Sequence, residues 1–477
     1  MRRLLSLLAA VALSALGAAA VPVVTAPVGA STVLTVPFHA RIGKILGMVP
    51  PLDTATAVTN SAPAKGRLYY NGGPVMTTNT VYTVYWQPPG YQFPSGYATD
   101  INTYFHNLQL TSGSNKNVYD VATQYYQKNG STTQYVQYET TFAGTVLDHD
   151  PLPPQDPLNC PDTAVAATNG GLSVPTTTAS CVTDAQLQHE ISTVVKREGW
   201  PVSNHTEFFM FTAPHMGTCF PATVTAAKTG ITTSVTVPLC SFSYFCAYHS
   251  SYFDSTINTS SQIVYSNMPY AAETAGNPLT CTEGQFPNGN PADAEINVTS
   301  HEHNESITDP FGTSWWDSNL TDSAYGDEIG DMCAWDFGNL YGPTGKRYSQ
   351  TIHGTHYLMQ TEWDNTTNGC PGSSATGTAV PSDPNYDTPE ISLTPNIGYP
   401  TAPFKIVGQF FAAGDHVSST FDSAGSGTVG LGSATANASG RSSLMTRVPR
   451  NASGGVATVT SRGASGSASA PFTVPPT

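Results

Sequence analysis

The stretch Asn290–Pro310 reads NPADAEINVTSHEHNESITDP and carries the signals of one helix with a defined start and end. Asn290 is a preferred N-cap residue, Pro291 suits the first helical position, and two acidic residues follow in the first turn. Pro310 lacks the backbone N–H needed to continue the helix. Five residues recur at helical spacing and share one face: Ala294, Val298, His301, Glu305 and Thr308. The helix therefore presents two ionisable side chains, one turn apart, on a partly apolar face.

His301 and Glu305 on such a helix can hold one cation, with Glu302 beside it. The arrangement is similar to the H-E-x-x-H helix, in which two side chains four residues apart bind zinc and the intervening Glu is the general base. Here the second ligand position is Glu305, and a carboxylate is also a zinc ligand. Glu328, 27 residues after His301, is the expected third ligand, and Asp331 is expected to orient His301 from outside the ligand shell. This spacing resembles zincins whose third ligand is a Glu on a following helix.

A solvated polar helix face is the alternative explanation of the same residues. Burying three ionisable groups on a partly apolar face is costly without a cation, which favours a metal site. In that interpretation His301, Glu305 and Glu328 bind Zn²⁺. Glu302 takes a proton from the zinc-bound water, and the metal polarises the scissile carbonyl.

The composition excludes several classes of protein. The chain has 477 residues, of which 11% are charged, with 18 Lys and Arg against 33 Asp and Glu. So few cations cannot form a basic stripe, so nucleic acid is not an expected partner. The 39% of hydrophobic residues argues against disorder, and the length allows two or three folded units. Few charges of either sign also predict tolerance of acid, because little self-repulsion arises when carboxylates become protonated.

The N-terminus predicts export. Arg2 and Arg3 precede an apolar run, and small residues at Gly17–Ala20 offer a cleavage site, so residues 1–20 are expected to be a secretory signal peptide. A membrane anchor is the alternative, but the run is short, and no later stretch reaches the length of about 20 apolar residues that a span needs. We expect a secreted, extracellular monomer with no membrane association after the signal is removed.

The cysteines support the same compartment. An even number in an exported chain predicts disulfides, although eight cysteines allow 105 pairings and the sequence selects none. There is no CxxC pair, which argues against a thiolate zinc cluster. The disulfide candidates are Cys160, Cys181, Cys219, Cys240, Cys246, Cys281, Cys333 and Cys370.

Composition shifts divide the remaining chain into four parts. Residues 21–65 are expected to be a pro-segment or tether, 66–370 a disulfide-stapled main domain, and 371–389 a linker. Residues 390–477 show short alternating runs between Gly, Ser, Asn and Asp turns, which predict a small all-β sandwich. The expected fold class is thus α+β: a mixed α/β, zincin-like domain followed by an all-β, Ig-like sandwich.

Periodicity predicts the main elements of residues 66–370. Strands are expected at Thr80–Trp86, Glu207–Thr212 and Gln262–Ser266, and helices at Asp100–Leu110, Val118–Gln127 and Asp184–Glu198, the last with Thr183 as N-cap. Three further features have two explanations each. His249 can approach the site, but a hydrogen-bonded structural role is favoured. Asp148–Asp150 can bind a cation or form a turn before Pro151, and Trp315–Trp316 can line a groove or pack in the core.

Four landmarks follow one another along residues 67–370: Tyr69–Met76 leading into Tyr82–Trp86, Phe245–His249, Pro287–Asn290 with the helix up to Thr308–Pro310, and Tyr357–Asp364 before Cys370. In this order they resemble the EXORDIUM / phosphate-induced-protein family. The resemblance implies a secreted protein. Plant members are apoplastic, growth-related proteins without an established enzymatic activity, whereas bacterial relatives that keep the His-Glu pair look like metallopeptidases. The segments Glu390–Pro395 and Gly408–Asp415 resemble Ig-like modules at the ends of bacterial exported proteins.

Two functions follow. The first is a secreted zinc-dependent metallopeptidase with peptides or proteins as substrates. The alternative is a non-catalytic EXORDIUM-like protein associated with a cell wall or matrix glycan, in which the same residues hold a structural metal or none.

Overall fold

A computed structural model describes residues 41–52, 66–161, 179–228, 231–258, 260–274, 281–320, 324–373, 389–409, 411, 414–424, 427–437, 441–464 and 466–475. The expected signal peptide, most of the expected pro-segment and residues 374–388 of the expected linker lie outside these residues. No helix among the described residues is both long and apolar enough to span a membrane.

Strands outnumber helices in the described chain. The helices are α1 (Tyr97–Leu110), α2 (Asp184–Glu198) and α3 (Ala292–Thr308), with 3₁₀ turns at Val118–Gln124, Ala271–Thr274 and Asp331–Cys333. The strands are β1 (Ile45–Val49), β2 (Tyr69–Tyr70), β3 (Asn79–Trp86), β4 (Tyr126–Asn129), β5 (Thr132–Tyr135), β6 (Thr140–Asp148), β7 (Ser180–Thr183), β8 (Thr206–Thr212), β9 (Met216–Lys228), β10 (Ile231–Cys240), β11 (Ala247–Tyr252), β12 (Ile263–Met268), β13 (Trp315–Trp316), β14 (Gln350–Ile352), β15 (Thr355–Tyr357), β16 (Glu390–Thr394), β17 (Pro403–Gln409), β18 (His416–Ser423), β19 (Gly427–Thr435), β20 (Ser442–Arg447), β21 (Gly455–Gly463) and β22 (Gly466–Val474).

A mixed sheet of six strands organises the main domain, in the order β1-β11-β12-β8-β3-β6. The four strands from β12 to β6 pair in parallel, whereas β11 is antiparallel to β12 and β1 is antiparallel to β11. Strand β8 is buried at every residue, as expected of a parallel strand with both faces covered. The mixed α/β class and the three predicted strands of this sheet are confirmed.

Helices cover both faces of the sheet. Alternate residues of β8 point to opposite faces, and the two faces contact different helices. On one side Phe209 lies 5.6 Å, between ring centroids, from His303 of α3. On the other side Phe208 lies 6.1 Å from Trp200, which follows α2. Helix α1 contacts β3, β6 and α3. Helices α1 and α3 therefore pack beside each other on the same face of the sheet, with α1 against β3 and β6 and α3 against β1, β11 and β12.

The predicted helix Asp184–Glu198 is confirmed at both ends. The Thr183 hydroxyl accepts a hydrogen bond from the Gln186 N–H, and the Thr183 N–H donates one to the Gln186 side-chain oxygen. Gly199 closes the helix in the left-handed region. The prediction Asp100–Leu110 is also confirmed, with α1 beginning earlier, at Tyr97.

The prediction of a helix over Val118–Gln127 is wrong beyond Gln124. Val118–Gln124 form a 3₁₀ turn, which the Asn117 side chain caps. The chain then enters β4, which pairs with β5. The cause is the two-residue hairpin connection that starts at Gly130, where φ is +59°. Cross-strand pairing of β4 with β5 overrides the weak helical pattern before it.

All eight cysteines form disulfides, which confirms the expected stapling. The pairs are Cys160–Cys181, Cys219–Cys240, Cys246–Cys281 and Cys333–Cys370. Two of them flank elements of the candidate site, because Cys246 directly precedes β11 and Cys333 lies in the 3₁₀ turn that begins at Asp331. Disulfides of this number are typical of proteins that fold in oxidising compartments.

The described residues from 389 onward form strands without helices, in agreement with the predicted all-β character of this part. A three-stranded sheet, β16-β17-β20, and a four-stranded sheet, β19-β18-β21-β22, contribute side chains to one buried cluster. Phe404 of the first sheet lies 4.7 Å, between ring centroids, from Phe472 of the second. This part also contacts the main domain, where the Gln409 side chain donates to the carbonyls of Thr111 and Ser112 at 3.0 and 2.8 Å.

Candidate metal centre

Helix α3 is buried along its whole length of 17 residues. It starts beside the predicted cap, since the Asn290 carboxamide oxygen accepts a 3.0 Å hydrogen bond from the Ala292 N–H. It ends where the Asp309 N–H donates to the Glu305 carbonyl at 2.6 Å, directly before Pro310. The alternative of a solvated polar face is wrong, because all ionisable residues of α3 are buried, with at most 2% of their surface exposed.

Three side chains converge at one end of the buried face. His301 Nε2 lies 3.0 Å from Glu305 Oε1 and 3.4 Å from Asp331 Oδ1. The Asp331 N–H also donates to Glu305 Oε1 at 3.0 Å, so the loop after α3 is fastened to the helix. The approach is close: a Cβ on Gly330 would lie 2.8 Å from His301 Cγ, so only glycine allows the loop this near the imidazole.

A second group of three donor atoms shares Glu305. His249, from β11, places Nδ1 at 3.3 Å from Glu302 Oε2 and 3.6 Å from Glu305 Oε2. In each group all three donor atoms lie within 4.8 Å of one another, a separation that one metal ion can bridge. Glu305 therefore has one carboxylate oxygen on the side of His301 and the other on the side of His249. We call the residues His249, His301, Glu302, Glu305, Glu328 and Asp331 the His–Glu cluster.

The orientation of the His249 ring follows from its neighbours. Nε2 lies 3.3 Å from the Asp309 carbonyl oxygen, which only accepts, so Nε2 carries the proton in this contact. Nδ1 then faces Glu302 and Glu305. A backbone carbonyl that holds one imidazole nitrogen and aims the other at a site is the usual outer-shell arrangement of metal-binding histidines.

Glu328 lies on the Nε2 side of the His249 ring. Its Oε2 is 3.7 Å from His249 Nε2, and its N–H donates to Asp331 Oδ2 at 2.9 Å. Glu328 is therefore in the His–Glu cluster but in neither group of three, whereas Asp331, which the sequence suggests as an outer residue, lies in the group with His301.

The His–Glu cluster contains buried oxygens without a hydrogen-bond donor. They are Glu302 Oε1, Glu305 Oε2, both carboxylate oxygens of Glu328, and Asp331 Oδ1. An unpaired carboxylate in the interior is costly, and a bound cation removes that cost. Imidazole nitrogens with carboxylate oxygens are a donor set that suits Zn²⁺ and other divalent transition metals. The residues present thus fit a metal ion.

The ionisation of the His–Glu cluster reflects its burial. Burial raises the pKa of Glu302 to about 8 and that of Asp331 to about 7. Burial opposes ionisation of Glu305 as well, but the charge of His301 lowers its pKa to about 2. Burial alone would lower the pKa of His249 and His301, yet the surrounding carboxylates raise both well above the usual range. The carboxylates of the His–Glu cluster thus favour a positively charged group or ion beside them.

Three further charged residues surround the cluster. Arg41 Nη1 lies 3.8 Å from Asp309 Oδ2, and its guanidinium also donates to the Gly312 carbonyl. Glu362 is fully buried, with Oε1 3.4 Å from the Asn304 side-chain nitrogen and Oε2 without a donor. Sequence reasoning did not assign a role to Arg41 or Glu362. The only available signal for Glu362 was its place in the Tyr357–Asp364 landmark.

The structure also shows the contacts of the two other features with two explanations. Asp148 and Asp150 both pair with Arg197, at 2.8 and 2.7 Å, next to the buried Glu190. Trp315 is buried and donates to the Tyr126 carbonyl at 2.7 Å, in agreement with the packing explanation.

A comparison of the chain with protein-family models found no match, and a comparison with curated proteins found none either.

Proposed function

We propose that the protein is a secreted, metal-dependent hydrolase that acts on peptide bonds. The observation that carries the proposal is the buried group of His301, Glu305 and Asp331, whose donor atoms lie within 4.8 Å of one another. Zn²⁺ is the proposed metal, because the donors are one imidazole and two carboxylates on and beside an H-E-x-x-E helix. Glu328, the third ligand expected from the spacing, is the competing candidate for the position of Asp331.

The chemistry of the remaining residues is consistent with hydrolysis. A divalent ion held by these residues would supply a Lewis acid for the scissile carbonyl and would lower the pKa of water. Glu302 accepts the proton of the attacking water at Oε1, the oxygen that has no donor, and delivers it to the leaving amine. His249 holds the other oxygen of the same carboxylate at 3.3 Å and so orients it.

The zincin-like main domain and the Ig-like C-terminal module are also part of this proposal. A zincin-like main domain is supported by the interior helix α3 beneath a mixed sheet. An Ig-like C-terminal module is supported by seven strands in two antiparallel sheets. The four disulfides support export, and membership of the EXORDIUM-like family rests on the four sequence landmarks.

Metal analysis of the purified mature chain tests the proposal. We expect about one zinc per chain after dialysis, lost in His301→Ala. The matched control is His303→Gln, which removes another buried imidazole of α3, one that contacts Tyr119 and Asn79 rather than the His–Glu cluster. Absence of metal from a folded wild-type chain would refute the proposal, and two metals per chain would assign the second group of donor atoms as a further ion site.

A non-catalytic wall- or matrix-associated protein with a structural metal is the second candidate. The observation in its favour is that the side chains of His249, His301, Glu302 and Glu305 are fully buried, which gives a substrate no access. In that case chelation would lower the melting temperature, and Glu302→Gln would change no measurable hydrolysis.

A further inference from the structure

Strand β1 forms the outer edge of the six-stranded sheet, directly beside the His–Glu cluster. It pairs antiparallel with β11, with Ile45 opposite Ser250, Leu46 opposite His249, and Val49 opposite Ala247. Two residues of β1 therefore face a single residue of β11, which is a β-bulge. The bulge falls next to His249. Strand β1 also contacts α3 and the 3₁₀ turn Asp331–Cys333, the two elements that carry the other donor atoms.

The backbone of the bulge touches the proposed metal ligands. Gly47 has φ of +45°, and a Cβ at this position would lie 1.6 Å from Glu305 Oε2 and 2.8 Å from His249 Cε1. No side chain fits there, so β1 presents bare main chain to the His–Glu cluster. Leu46, Met48 and Val49 on either side are buried. Strand β1 is thus part of the cover that closes the cluster from solvent.

Both ends of this segment are held by groups of the main domain. The Arg41 guanidinium lies 4.4 Å above the centre of the Trp316 ring, besides its contact with Asp309. At the other end the Trp335 indole N–H donates to the Pro50 carbonyl at 2.7 Å. Main-chain pairing along a sheet edge, with side chains anchored at intervals, is how extended peptides bind by strand addition.

Residues 41–50 also stand apart from the main domain in the sequence. It precedes the first landmark of the main domain, and residues 53–65, DTATAVTNSAPAK, join the two. Small and polar residues of this kind are typical of connections that proteases cut.

We propose that the edge of β11 is a peptide-binding site and that residues 41–50 are its occupant in the uncut chain. An extended polypeptide takes the same place once this segment leaves. The substrate class, which rests on the proposed function, is an extended peptide with glycine against Glu305. A large apolar residue precedes that position, and a basic residue lies six positions before it, as Arg41 does. Release requires one hydrolysed peptide bond between residues 52 and 66, in which water supplies the hydroxyl of the new carboxylate and the hydrogen of the new amine.

The experiment uses the full mature chain with a recognition site for a sequence-specific endoprotease in place of residues 57–63. Cut and uncut protein are compared for uptake of a fluorescent peptide of sequence 41–52, measured by polarisation, and for fold, measured by circular dichroism. We expect uptake by the cut protein only. A Gly47→Ala peptide should bind about tenfold more weakly or worse, because its Cβ meets Glu305 at a positive φ, whereas Lys44→Ala, at an exposed position, should bind like the parent.

The results of this experiment distinguish failure of the peptide-binding site from failure of the proposed hydrolase. Unfolding of the cut protein, or a segment that stays bound for a day without exchanging with the labelled peptide, would show that β1 is an ordinary structural strand and would overturn the proposal. Peptide uptake without any hydrolysis would support the peptide site while the proposed hydrolase fails. Equal hydrolysis by cut and uncut protein would keep the hydrolase and refute the occupant role of β1.

Discussion

Replacement of Glu207 by Gln is predicted to remove part of the pH dependence of stability. Glu207 lies fully buried on β8, and its Oε1 accepts hydrogen bonds from the hydroxyls of Ser266 and Ser306 at 2.7 and 2.8 Å. Its Oε2 has no donor and lies 4.0 Å from His303 Nε2. Burial raises the pKa of Glu207 to about 8, and burial lowers the pKa of His303 to about 3, so the imidazole nearest to the carboxyl brings no positive charge.

The direction of this pH dependence follows from the difference between the pKa of Glu207 in the folded and the unfolded chain. In the unfolded chain Glu207 ionises near its ordinary pKa of 4.5, whereas the folded state keeps the proton up to about pH 8. The stabilising contribution is therefore fully present below pH 4.5 and is lost as the pH rises toward 8. At 1.36 kcal/mol per pKa unit the loss is on the order of 5 kcal/mol. The charge of His249, on β11, lowers the pKa of Glu207, and the pKa of about 8 already includes this effect.

Glutamine resembles the protonated acid in shape and can still accept both serine hydrogen bonds. We expect Glu207→Gln to be within about 1 kcal/mol of wild type at pH 5 and more stable than wild type by several kcal/mol at pH 9. Urea unfolding followed by circular dichroism between pH 4.5 and 9 measures both values. Glu139→Gln, at a half-exposed side chain 3.5 Å from Lys405 Nζ, controls for the loss of one negative charge. Parallel pH curves for wild type and Glu207→Gln would refute the reasoning.

Three further outcomes are expected. Glu302→Gln should retain the metal but lower kcat about 100-fold or more, measured with the chain whose N-terminal segment has been released; unchanged turnover would exclude Glu302 as the base. Asp331→Asn should weaken zinc binding by at least about tenfold in a competition titration with a chromogenic chelator, and a stronger effect of Glu328→Gln would assign the third ligand to Glu328 instead. Removing the Cys333–Cys370 disulfide, whose cysteines are 37 residues apart, should lower the free energy of unfolding by about 4 kcal/mol and should also lower the metal content. Full metal content in the folded double variant would show that this disulfide does not position the loop that carries Asp331.

The elements predicted well from sequence carry local signals. The prediction of α2 with Thr183 as N-cap is confirmed because the hydrogen bonds that cap this helix act within one turn. The same holds for the helix that places His301 and Glu305 four residues apart, since Asn290 and Pro310 mark its limits without help from the rest of the chain. The Val118–Gln127 prediction failed beyond Gln124, where pairing with another strand decided the conformation.

The candidate site shows the limit of such reasoning. His249 is 52 residues away from His301 in sequence, and no spacing rule connects them, so a structural role was favoured. The sheet order places β11 over α3 and brings His249 Nδ1 to 3.6 Å from Glu305 Oε2. The relative positions of Glu328 and Asp331 likewise depend on how the loop after α3 folds back, which the hydrogen bond from the Asp331 N–H to Glu305 determines.

The sequence by itself determined where helices α1, α2 and α3 and strands β3, β8 and β12 lie, to within a few residues, and which residue pair is able to hold a cation, because caps, periodicity and i to i+4 spacing act over a few residues. Only the tertiary structure decided that α3 is buried on every side, that His249 joins the His–Glu cluster, and that β1 closes it. These features depend on contacts between segments far apart in the chain, and the free energy that favours them comes from shared burial rather than from any local pattern.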